Sequence, residues 1–63
     1  MNKNRRTELQ KVINSLENVI TDEQDAYDNM PEGIQESERG ESMETGLDSL
    51  NEAKDLLEEI ANP

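Results

Sequence analysis

Apolar side chains recur every three or four residues in two long stretches, and the positions between them are almost all polar or charged. The first stripe runs through Leu9, Val12, Ile13, Leu16, Val19, Ile20, Tyr27 and Met30; the second through Met43, Leu47, Leu50, Ala53, Leu56, Leu57 and Ile60. This spacing gathers each set on one face of an α-helix, which turns once in about 3.6 residues. Between the stripes stands Met30-Pro-Glu-Gly33, where Pro31 pushes Met30 away from helical angles and Gly33 permits a positive φ. The pattern predicts an all-α chain: an antiparallel two-helix hairpin, with helices over about 5–29 and 37–61, that dimerises into a four-helix bundle.

The expected core is Leu9, Ile13, Leu16, Ile20, Tyr27, Met43, Leu47, Leu50, Leu57 and Ile60, with Ile34 plugging the closed end of the hairpin. Thr7-Glu-Leu-Gln10 fits a capping box for the first helix, and Asn2 or Asn4 offers a start one turn earlier. Ser37 is the expected cap of the second helix and Asn62 its closing residue. Glycine costs a helix about 1 kcal/mol relative to alanine, so its presence asks for a reason. Gly46 lies on the seam between Met43 and Leu50 and is the better candidate for a close helix approach; Gly40 is the weaker one. Glu23 interrupts the first stripe, where it can reach the edge of a thin interface or set register against a cation.

The chain has 63 residues, enough for a single domain (1–63) in which residues 1–6 form a basic arm. A lone hairpin leaves one side of each stripe wet, which implies a partner, with a second copy as first choice and a host protein as the other. There is no cysteine and no histidine, which removes disulfide staples, thiolate metal sites and the commonest general base. Tyr27 is the only aromatic residue, so stacking platforms for nucleic-acid bases are missing. No apolar run approaches the roughly 20 residues that span a bilayer, and no signal peptide opens the chain, so the expected location is cytoplasmic and away from membranes.

Charge is divided unevenly. Residues 1–15 carry Lys3, Arg5, Arg6 and Lys11 against Glu8, a net of +3. Residues 16–63 carry Arg39 and Lys54 against fifteen carboxylates, a net of −13. Four cations on an acidic chain make a poor footprint for nucleic acid. In an antiparallel hairpin, Lys11, Arg5 and Arg6 fall near Glu58 and Glu59, and Asp28 near Arg39, as candidate ion pairs. Asp22, Asp25 and Asp28 share a helix face but lack the glycine turn of a calcium loop, and a solvated face is the expectation. Ser37 has neither base nor oxyanion hole for a nucleophile's role. No catalytic, cofactor-binding or metal-ligating residue is assigned.

The segment Tyr27-Asp-Asn-Met-Pro-Glu-Gly-Ile-Gln-Glu-Ser-Glu-Arg-Gly-Glu41 resembles a group of small uncharacterised acidic helical-hairpin proteins of Gram-positive bacteria and their phages. Their two helices flank Asn-(Met/Ile)-Pro-Glu-Asn-Leu-Gln-x-Ser-Glu-Arg, matched here by Asn29, Met30, Pro31, Glu32, Gln35, Ser37, Glu38 and Arg39. Gly33 and Ile34 stand where Asn and Leu are usual, and Gly40 where a larger residue is common. The resemblance spans about a quarter of the chain. It implies a defined structural loop and a phage or prophage accessory protein, and no particular activity. The function expected is therefore non-enzymatic association with protein. The alternative, motivated by the −13 of residues 16–63, is an acidic mimic of nucleic acid that inhibits a host enzyme.

Overall fold

Residues 1–62 are described by the computed structural model; Pro63 lies outside them. Over the described residues the chain is all-helical, with three helices: α1 (Lys3–Asp28), α2 (Glu32–Gln35) and α3 (Glu38–Ala61). Two of them are long, at 26 and 24 residues.

The start of α1 is fixed by Asn2, the earliest of the three caps its sequence offers. Its Oδ1 accepts the Arg5 N–H at 2.9 Å and its carbonyl accepts the Arg6 N–H at 3.0 Å. Asn4 and Thr7, the other candidates, lie inside the helix, with the Thr7 hydroxyl donating to the Lys3 carbonyl at 3.0 Å. Residues 3–6, expected as an arm, thus form the first helical turn.

At the other end, the backbone N–H and the side-chain amide of Asn29 both donate to the Asp25 carbonyl, at 3.0 and 2.9 Å. Pro31, with φ −56° and ψ 144°, then opens α2, and its carbonyl accepts from Ile34 N–H and Gln35 N–H at 2.9 and 3.0 Å. This short helix replaces the left-handed glycine turn expected at Gly33. Among the described residues no glycine has a positive φ, and Gly33 sits within α2.

Ser37 occupies the N-cap position of α3, but its hydroxyl donates back to the Ile34 carbonyl rather than accepting from the new helix. Its backbone carbonyl accepts the Glu41 N–H at 3.0 Å, which begins the α3 ladder. The glycines exchange their expected roles. Gly40 is buried, and a Cβ there would overlap the Gln35 carbonyl; around Gly46 there is open space. The close approach joins α3 to α2, not to α1.

The two long helices touch along their length. Glu17 on α1 meets Lys54 on α3 at 3.6 Å, and ten residues further along α1 Tyr27 reaches Glu44, ten residues earlier on α3. These contacts run in opposite chain directions. The product is a rod of 48 × 15 × 12 Å with a radius of gyration of 14.6 Å, against roughly 10.6 Å for a compact domain of this length.

Replacing the two interior glycines by alanine should have opposite effects on the melting temperature followed by circular dichroism. Gly40→Ala should destabilise by about 1–3 kcal/mol because backbone must give way. Gly46→Ala should stabilise by about 0.5–1 kcal/mol, since only helix propensity changes.

Candidate association surface

Helical geometry allows each stripe to meet its neighbour along one strip only. Ile13, Leu47 and Ala61 are buried, with Ile13 fully enclosed at 0% exposure. Leu9, Leu16, Ile20, Tyr27, Met43, Leu50 and Leu57 are half-buried. Val12, Val19, Leu56 and Ile60 remain 54%, 53%, 54% and 50% exposed. Ile34 is also exposed, at 42%, and does not plug the closed end. Gln35 takes that place, donating from Nε2 to the Tyr27 carbonyl at 2.8 Å in a part-buried contact. Ile60 likewise stands outside the core of the single chain.

The exposed apolar residues are not scattered. At about 100° per residue, Val12 and Val19 lie roughly 100–120° round α1 from Ile13. Leu57, Ala53 and Ile60 lie roughly 80–140° round α3 from Leu47, in the same rotational sense. Because the helices point in opposite directions, the same sense brings both sets to one side of the pair. Leu56 stands further round, on the outer flank.

The opposite side is polar. Glu17 and Glu44 lie about 40° and 60° the other way from Ile13 and Leu47, and they supply the carboxylates of the two cross-links. Lys54 bridges Glu17 at 3.6 Å and Glu58 at 3.8 Å, and the Tyr27 hydroxyl donates to Glu44 at a long 3.5 Å. One edge of the seam is therefore closed by polar contacts while the other opens onto hydrocarbon.

The cross-helix cation is Lys54, half-buried on the seam, and not Lys11, Arg5 or Arg6 as the charge pattern suggested. Lys11 sits on the outer face and pairs with Glu8 of its own helix at 3.7 Å. Arg5, Arg6 and Arg39 make no ion pair among the described residues. Asp28 receives Gln24 Nε2 at 2.9 Å instead of Arg39. Within the loop motif, Asn29 and Ser37 carry backbone contacts, Pro31 opens α2, and Glu32 and Arg39 are exposed. Sequence reasoning missed Gln35 as a contact and Lys54 as a bridge; its signal for Lys54 was a lone cation flanked by Leu50 and Leu57.

Other chemistry is sparse. Among the described residues no group of three or more acidic side chains is placed to hold a metal ion, and no helix is long and apolar enough to cross a membrane. A shallow depression near the end of α3 is lined by Asp55, Glu58, Glu59 and Asn62, which offer carboxylates and an amide but no nucleophile or cation. Comparison with protein-family models, with curated proteins and with solved structures finds no match to this chain.

Tyr27 reports on the closed edge. Loss of hydration against α3 raises its pKa above the ordinary phenol value, helped by the charge of Glu44, their hydrogen bond and the charge of Asp28. A raised pKa means the folded chain holds the proton more firmly than the unfolded one. The stabilisation is complete below the unfolded phenol value and is lost as pH rises through the folded one. Titrated by phenolate absorbance, Tyr27 should ionise at higher pH in the native chain than in urea, and Glu44→Gln should narrow the gap. Identical midpoints in native and unfolded chain would contradict the contact.

Proposed function

We propose that this protein is a non-enzymatic helical hairpin that acts by associating with protein, first with a second copy of itself to give a four-helix bundle. The observation that carries this reading is the one-sided apolar face, with Val12, Val19, Leu57 and Ile60 at its centre and the polar cross-links on the reverse. Two such faces laid together bury hydrocarbon that a single pair of helices leaves in water, at about 25 cal/mol for each Å² removed. A surface of 4765 Å² agrees with this, since a compact monomer of 7.2 kDa would expose roughly 4,100 Å². The carboxylates of the outer faces keep such a dimer soluble. The loop resemblance adds a phage or prophage accessory role, in a cytoplasmic setting, to the same proposal.

Sedimentation equilibrium tests the reading. The wild-type chain should sediment at twice its 7.2 kDa monomer mass. Val19→Asp, at an exposed position of the face, should shift the population toward monomer. Leu16→Asp or Leu50→Asp should lower helical content and mass together. Unchanged mass in all three variants would refute the association.

A further inference from the structure

The outward side of α1 carries a row spaced by sevens, Arg5, Val12, Val19 and Ala26, beside a second row of Leu9, Leu16, Glu23 and Met30. Each row holds one charge. Glu23 is half-buried, and neither it nor the Arg5 guanidinium makes an ion pair or side-chain hydrogen bond among the described residues. The register that pairs Glu17 with Lys54 sets Ala53 and Ile60 level with residues 18 and 11 of α1. The apolar part of the face is thus centred between Val12 and Val19, with the basic end on one side of it and the acidic end on the other.

Building on the association proposed above, we infer that the two copies meet with their ends exchanged, oriented by Arg5 and Glu23. A twofold axis lying in the face and crossing α1 between Val12 and Val19 stacks α1 antiparallel on its counterpart. It sets Val12 against the partner's Val19. It also brings Arg5 level with the partner's Ala26, about 4.5 Å along the helix from the partner's Glu23, within reach of a guanidinium. By symmetry the pair forms twice. The basic residues 1–15, net +3, then cover the acidic region of the second chain. The other twofold arrangement, with its axis along the helices, lays α1 on the partner's α3: Arg5 then falls beyond the end of that helix, and Glu23 comes level with the partner's Asp48, carboxylate by carboxylate. Charge complementarity selects the exchanged form.

Charge reversal and cross-linking test the orientation, helped by the absence of native cysteine. Arg5→Glu or Glu23→Arg alone should weaken the dimer about tenfold, and the double variant should recover most of that loss. An oxidised mixture of Arg5→Cys and Ala26→Cys chains should form a disulfide heterodimer, while a mixture of Ala26→Cys and Gly46→Cys chains should not. Cross-linking in the second mixture, or a dimer without rescue in the double variant, overturns the orientation but leaves association standing. A wild-type chain of monomer mass overturns the association itself, and the orientation with it.

Discussion

Two helices laid side by side have one shared seam and no interior beyond it. That constraint governs this molecule. Each long helix carries an apolar face wider than the strip its neighbour can cover, so among the described residues Ile13, Leu47 and Ala61 form the buried apolar core while other large apolar residues stay half wet. What remains is distributed by helical phase. Glu17 and Glu44 fall on one edge of the seam, where Lys54 and Tyr27 reach them from the seam and close it with polar contacts, and Val12, Val19 and Ile60 fall on the other and leave it open. The sidedness follows from where each residue falls around its helix rather than from any special residue.

The connection between the long helices obeys a different economy. Its apolar residues Met30, Pro31 and Ile34 are half-buried or exposed, so it is organised by hydrogen bonds to the backbone. Asn29 doubles its bonds to one carbonyl, the Pro31 carbonyl serves two donors, and Ser37 ties back to Ile34. Gln35 then joins the Tyr27 carbonyl to the first turns of α3, where Gly40 supplies the room. A backbone that satisfies its own polar groups in this way can hold a fixed shape without a core beneath it.

Much of this architecture was legible in the residues. Periodicity alone defined the two long helices to within about two residues, because turns of apolar and polar positions over more than twenty residues leave little freedom of phase. The start at Asn2 was among the caps offered. Contacts that depend on how one element sits against another were not legible. Gly46 lies on the predicted seam, yet the glycine that matters is Gly40, because the close neighbour is the backbone of α2, an element too short to leave a periodic signal. Ile34 is apolar and Gln35 is not, so composition favoured the wrong one as the inward residue; the Tyr27 carbonyl, which takes the Gln35 amide beside the Met30 N–H, decided in favour of the amide. For the ion pairs, charge balance pointed to the basic end, while helical phase had placed Lys54 on the seam and Lys11 outside it. The exposed apolar face was visible only as surplus apolar residues, and its restriction to one side needed the register of α3 on α1.

The connection also acts as a gauge. From Asn29 to Ser37 its length and shape set how far α3 is slid and turned relative to α1, and the whole seam inherits that setting. One residue added or removed there would advance α3 by about 1.5 Å and rotate it by about 100°. A deletion would put Asp48 in the place of Leu47 and Glu44 in that of Met43, with no change to either helix as such. The loop thus buries little hydrocarbon of its own, yet the meaning of every apolar position on α3 depends on it.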